Sequence, residues 1–130
     1  MAKRALIIDD VEIVARALSS ILNLERFDEV HVLTDPRKAL SSIKALDPDL
    51  VILDVRMPHV TGAQVIEALG PRPHHRPGLL MYTASPKDDL DHELEGSGLT
   101  YDFYLEKPSG LKGLKQAVQT VLALVEPPAA

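Results

Sequence analysis

The sequence contains no cysteine and no tryptophan, and its aromatic content is only 4%. Without thiols, disulfides and thiolate metal sites are excluded. With so few rings, the core has to be built from Leu, Ile, Val and Ala. A surplus of positive charge is also missing: 14 Lys and Arg stand against 19 Asp and Glu, for a net charge of -5. A nucleic-acid surface needs a basic footprint to neutralise phosphates, so direct nucleic-acid binding is not expected. No apolar run approaches the length of a membrane span. The basic start Met1-Ala2-Lys3-Arg4 leads into Leu6-Ile7-Ile8, but Asp9-Asp10 ends that run far short of a signal peptide. A cytoplasmic location is the expectation. What remains is an ordinary globular balance of 45% hydrophobic and 25% charged residues over 130 positions, enough for one domain with one core. That domain is expected over residues 1–125, with 126–130 as a linker-like tail, Glu126-Pro127-Pro128-Ala129-Ala130.

Short apolar runs alternate with helical patterns. The runs are Ala5–Ile8, Val30–Leu33, Leu50–Leu53, Leu79–Tyr82 and Phe103–Leu105. Runs without polar alternation predict strands buried on both faces. Between them, Val11, Val14, Ala15, Leu18, Ile21 and Leu22 recur at helical spacing. Pro36 opens a second helix with Ala39, Leu40, Ile43 and Leu46 as its stripe. Thr61 is the N-cap expected for a third, with Val65, Ile66 and Leu69 inward. Ser85-Pro86 opens a fourth with only Leu90 and Leu94 on its apolar side. Ser109 opens a fifth carrying Leu111, Leu114, Val118, Val121, Leu122 and Val125. The stretch Pro71–Gly78 is a Pro-rich surface loop. Strand and helix in alternation require an α/β fold: a parallel sheet with right-handed crossovers and helices on both faces.

In an open parallel sheet, sites form beyond the carboxyl ends of the strands. The first strand ends at Asp9-Asp10, the third at Asp54, the fourth at Thr83, and the fifth just before Lys107. Each has a plainer role when taken alone. Asp9-Asp10 suits the start of a helix, Thr83 a turn, and Lys107 a solvated surface. Asp54 is a poor cap, because Val55-Arg56-Met57-Pro58 intervenes before the next helix. What matters is that all five share one sheet end. Three carboxylates cannot crowd together ionised without a cation. Hard oxygen donors of this kind suit Mg²⁺, often completed by a phosphate. A lysine and a hydroxyl opposite the metal would grip a transferred phosphoryl group, with one Asp as nucleophile forming an acyl phosphate.

These residues resemble a known family. Asp9-Asp10, Asp54-Val55-Arg56-Met57-Pro58 with Gly62, Thr83-Ala84 and Lys107-Pro108 are similar to the receiver domain of two-component response regulators, over essentially the whole chain. The resemblance implies a flavodoxin-like (β/α)5 fold, a doubly wound five-stranded parallel sheet in the order 2-1-3-4-5. It implies that Asp54 accepts a phosphoryl group from a sensor histidine kinase or a phosphotransfer protein. Asp9, Asp10, Asp54 and the backbone carbonyl of Arg56 would hold Mg²⁺. Thr83 would meet the phosphoryl oxygens, Lys107 would pair with them, and Tyr104 would be the aromatic that turns inward as Thr83 moves. The Lys107–Pro108 bond is expected to be cis. Such a domain is not an enzyme toward other substrates; it catalyses only its own phosphorylation and dephosphorylation. Its switching face comprises the fourth helix, fifth strand and fifth helix. The implied partners are the phosphodonor, a downstream protein or an output domain outside this chain, and a second copy in a homodimer.

Other features are individual to this chain. Arg56 admits two roles, covering the acyl phosphate against water or pairing with an acid of the fourth helix. By the same resemblance, Arg56 and Ser85 would stand at variable positions beside the phosphate. The fourth helix carries Asp88, Asp89, Asp91, Glu93 and Glu95 against Lys87, which reads either as a solvated face or as a surface for a basic partner. His74-His75 reads as a surface pair, because adjacent side chains rarely converge on one ion. His31 is expected to be packed or paired, and His59 and His92 exposed. Three rivals fit less well. An Asp-nucleophile phosphatase places its nucleophile after the first strand, with a second Asp two residues on. A flavin carrier needs a phosphate-cradling loop where Asp9-Asp10 would repel phosphate. A receiver used only as an interaction module would have a degraded acidic site.

Overall fold

The structure is a computed structural model, which describes residues 3–23, 27–69, 77–107 and 109–125. Five strands and five helices alternate: β1 Arg4–Ile8, α1 Glu12–Leu22, β2 Glu29–Leu33, α2 Ala39–Leu46, β3 Leu50–Leu53, α3 Gly62–Leu69, β4 Gly78–Thr83, α4 Lys87–Leu94, β5 Phe103–Glu106 and α5 Leu111–Val125. The strands form one parallel sheet in the order β2-β1-β3-β4-β5. This is the doubly wound arrangement the alternation predicts, with the 2-1-3-4-5 order that the resemblance implies. Among the described residues, no helix is long and apolar enough to cross a membrane.

Side-chain alternation along each strand divides the core into two layers. Leu6, Ile8, Val51, Leu53, Leu79 and Met81 face α2, α3 and α4. Ala5, Ile7, Leu50, Ile52, Leu80 and Tyr82 face α1 and α5. The continuous apolar runs are thus explained for the three inner strands, which have helices on both sides. The expectation fails at the rims. β2 and β5 are the edge strands, and their residues are half-buried or exposed. An edge strand has one flank open to water, and its apolar content overstates its burial.

The helix stripes hold with local corrections. Val11 does not join the buried face of α1; it stands at the N-cap in extended conformation and is exposed. Ala15, Leu18 and Leu22 carry that face. Pro36 opens a 3-10 turn, Pro36–Lys38, rather than α2 itself. The side chain of Asp35 caps that turn through the Arg37 amide at 3.1 Å. Leu40 and Leu111, expected inside, are exposed. Gly78 belongs to β4, not to the preceding loop. Thr61 caps α3 as expected. Its hydroxyl accepts from the Gln64 amide at 3.2 Å while the Gln64 side chain accepts from the Thr61 amide at 2.9 Å, a reciprocal capping box. His31 approaches Glu29 at 3.3 Å, and His59 and His92 are exposed. His74-His75, Pro108 with its cis bond, and the tail 126–130 lie outside the described residues.

The helices differ in how firmly they are held. α5 buries Leu114, Ala117, Val118, Val121 and Leu122, whereas α4 buries only Leu90 and Leu94. Leu90 is 0% exposed, so Leu90→Ala is expected to cost about 2–5 kcal/mol of stability through lost transfer energy and the cavity left behind. Urea denaturation checks this; a loss below about 1 kcal/mol would mean that α4 is not docked as described.

Candidate functional site

Backbone bonds continue the ladder one residue past the strands, and this sets where the site residues stand. The Asp9 amide donates to Leu33 O at 3.2 Å, the Asp54 amide to Ile8 O at 3.2 Å, and the Lys107 amide to Thr83 O at 2.8 Å. The carboxyl ends of four strands are thereby brought level, and Asp9, Asp54, Thr83 and Lys107 project from one rim. Asp9, Asp54 and Thr83 are buried, at 2%, 8% and 1% exposure. Asp10 is half-buried. Ligand-capable oxygens of Asp9, Asp10 and Asp54 all lie within 4.8 Å of one another.

One ammonium holds this cluster together. Lys107 Nζ donates to Asp9 Oδ2 at 2.7 Å and to Asp54 Oδ2 at 3.3 Å. It also lies 5.4 Å from the centre of the Tyr82 ring, a cation–π contact. Burial pulls the Lys107 pKa down. The hydrogen bond to Asp9 and the charges of Asp54 and Asp9 push it up by more, so the net direction is upward. The second oxygen of each acid is met by backbone: the Val11 amide donates to Asp9 Oδ1 at 2.9 Å and the Arg56 amide to Asp54 Oδ1 at 3.3 Å. The turn role of Asp9 at the start of α1 therefore coexists with its place in the cluster. Three carboxylates against one ammonium leave a deficit of positive charge that hard oxygen donors usually meet with a divalent cation. The donor set fits such an ion.

The loop carrying Asp54 is fixed by Gly62. Its amide donates to Val55 O at 2.8 Å. A Cβ there would stand 2.9 Å from Asp54 O and 3.0 Å from Val55 Cα. The glycine is needed for this close approach of the helix start to the loop backbone.

Around Thr83 the contacts lead toward α4. Thr83 Oγ1 accepts from the Ser85 amide at 3.2 Å. The Tyr104 hydroxyl donates to the carbonyl of Ser85. Burial, followed by the charge of Glu106, pushes the Tyr104 pKa up to about 12. The ring of Tyr101 lies 5.7 Å from that of Tyr104, and its hydroxyl donates to Asp91 on α4. Lys87 bonds the same carboxylate at 2.6 Å. Tyr101 has no place in the sequence reading; its only signal was an aromatic close to a strand in a chain with few aromatics. Arg56 pairs with Glu93 at 3.4 Å, which decides between its two roles for the state described here. His92 approaches Glu95 at 3.3 Å. Three of the five acids at 88–95 thus have partners within the chain, which favours the solvated, internally paired reading of the α4 face.

Comparison with known proteins agrees with this geometry. A family profile described as the response regulator receiver domain matches residues 5–119. A probable transcriptional regulator, ycf27, of Porphyridium aerugineum is 32% identical over 124 residues, covering 95% of this chain and 50% of that protein. A protein-glutamate methylesterase/protein-glutamine glutaminase of Trichodesmium erythraeum is 29% identical over 119 residues, covering 91% of this chain and 34% of that protein. This chain therefore spans half or less of the length of these two relatives. Among solved structures, the signal receiver domain of a putative Luxo repressor protein from Vibrio parahaemolyticus superposes with a TM-score of 0.81 at 26% identity, covering 96% of this chain and 93% of that one.

Gly62→Ala is expected to lower stability by about 1–3 kcal/mol, since the added methyl meets backbone rather than a yielding side chain. Denaturant titration reads this, and an unchanged midpoint would show that the loop has room to spare. Lys107 gives a pH signature. With its folded pKa raised, its contribution is complete below the unfolded value of about 10.4 and is lost as pH rises through the folded value. Stability measured from pH 9 upward should fall more steeply in the native chain than in Lys107→Met; parallel curves would deny the pairing.

Proposed function

The chain belongs to the response regulator receiver domain family, and on that footing we propose that it is a phosphorylation-operated switch with Asp54 as the phosphoryl acceptor. The observation that carries this reading is the bond of Lys107 Nζ to both Asp9 and Asp54 beside a third carboxylate. That arrangement sets a fixed cation against Asp54, the carboxylate placed to act as a nucleophile. A carboxylate oxygen of Asp54 attacks the phosphorus of a phosphohistidine on a sensor kinase or phosphotransfer protein. The new O–P bond forms as the donor's N–P bond breaks, and the imidazole leaves with the electron pair. Hydrolysis later returns Asp54 and inorganic phosphate, with water supplying the oxygen. In this reading the domain acts on no substrate beyond its own phosphoryl group.

Asp9, Asp10 and Asp54, with the backbone carbonyl of Arg56, would hold Mg²⁺, which when bound offsets negative charge on the transferring oxygens. Lys107, bonded to Asp9 and Asp54, is the fixed cation of the site. Thr83 Oγ1 accepts from the Ser85 amide and keeps its own proton to donate to a phosphoryl oxygen. Drawing Thr83 inward pulls on the Ser85 loop, to which the Tyr104 hydroxyl is bonded, so the rim is linked to α4 and β5. The face of α4, β5 and α5 then changes its affinity for a downstream protein or output domain, or for a second copy. Phosphorylation shifts this equilibrium only through contacts that differ between the two states. A cytoplasmic location goes with such a partnership.

The test is intact mass after incubation with Mg²⁺ and acetyl phosphate or phosphoramidate, with Asp54→Asn alongside. The expected result is a Mg²⁺-dependent phosphoryl adduct on the native chain, absent from the variant. An adduct that persists in Asp54→Asn, or that forms in neither protein, would refute the acceptor assignment.

A further inference from the structure

We propose that Arg56 exchanges partners on phosphorylation, leaving Glu93 of α4 for the phosphoryl group on Asp54, so that Glu93 competes with the phosphoryl group for one guanidinium. The inference rests on Asp54 being the acceptor.

The main chain of Arg56 is rooted at the acid cluster, where its amide donates to Asp54 Oδ1 at 3.3 Å. Its side chain leads away and pairs with Glu93 at 3.4 Å. Arg56 is 58% exposed and Glu93 34%, so the pair is wet and cheaply broken. At the rim three carboxylates stand against one ammonium, and the divalent ion proposed above would only bring those charges level, with nothing to spare for a phosphoryl group. Lys107 Nζ serves both Asp9 and Asp54, and among the described residues it is the one cationic side chain bonded to the cluster. Phosphorylation replaces the single charge of the Asp54 carboxylate with a group carrying close to two and supplies three acceptor oxygens. A guanidinium matches such oxygens as a planar fork, a better partner than a single half-exposed carboxylate.

The consequence for α4 follows from how that helix is held. Its buried anchors are Leu90 and Leu94, and the rest of its attachment is polar. Asp91 ties it to Tyr101 on the β5 side, and Glu93 ties it to the loop that bears Asp54. Moving Arg56 cuts the second tie and keeps the first. The second half of α4 loosens while its attachment toward β5 remains. Phosphorylation thereby reaches α4 along a path separate from Thr83 and Tyr104.

The experiment measures binding of beryllofluoride, a phosphoryl mimic, with Mg²⁺ by 19F NMR in the native chain, Glu93→Gln, Arg56→Gln and the double variant. Arg56→Gln keeps the backbone carbonyl and amide. Freeing the guanidinium in Glu93→Gln should tighten binding roughly two- to fivefold, the worth of an exposed charge pair. Arg56→Gln should weaken binding, and the double variant should match Arg56→Gln alone. Hydrogen exchange adds a second readout. Loading should speed exchange of amides 91–95 in the native chain and leave them unchanged in Arg56→Gln. A Glu93→Gln effect that survives in the double variant overturns the exchange of partners, as does a loading response of α4 that does not depend on Arg56. Beryllofluoride that binds none of the four proteins refutes the acceptor reading itself, and this inference falls with it.

Discussion

The contact on which the rim depends is the one Lys107 Nζ makes with Asp9 and Asp54. It joins the ends of β1 and β3 to a residue just beyond β5, although β4 lies between β3 and β5 in the sheet. Without that cation, two largely buried carboxylates and a third beside them would repel one another in a medium that screens poorly. The fold makes the contact possible through simple means. Parallel strands bring all their carboxyl ends to one side. The backbone bonds from Asp9, Asp54 and Lys107 carry the register one residue further, so these side chains leave the sheet at a common level. Ile7, Ile52 and Leu80 are buried behind them and pack against the helices that cover the sheet.

The layout of the fold was legible because its physics is local. A run such as Leu50–Leu53 suits a strand covered on both faces, and it is fully buried. The acids and hydroxyl at strand ends were legible for the same reason, since chain order sets which end they occupy. What local pattern could not supply was position within the sheet. Val30–Leu33 and Phe103–Leu105 read like inner strands but stand at the edges, where pairing partners, not composition, decide exposure. Val11 and Leu111 failed for a related reason. Each lies just at a helix end, where the apolar stripe has already run past the core.

Contacts between distant elements were the other blind spot. The pairing of Arg56 with Glu93 joins the loop after β3 to α4, with α3 and β4 between them in the chain, and sequence offered two roles without a means to choose. Tyr101 gave no sign of its bond to Asp91, because that bond depends on how α4 lies against the segment before β5. Both cases concern α4, the helix whose apolar anchoring is thinnest. Where few apolar residues define how an element is seated, polar contacts do more of the seating, and these are hard to read from spacing. The metal-capable cluster lies at the opposite extreme. Its members are fixed by strand ends, and the sequence reading and the geometry coincide there.

The unequal seating of α4 and α5 bears on how this chain can diverge. A substitution on the inner face of α5 meets five buried side chains and their close-packed neighbours, so change there is selected against through stability. On α4 only Leu90 and Leu94 impose that restraint. Its remaining positions can be rewritten one at a time, exchanging an acid for a base or an ion pair for a hydrogen bond, with small stability costs. Duplicated copies of such a domain could therefore acquire separate binding surfaces while keeping the same rim, and their insulation from one another would be written chiefly in this one short helix.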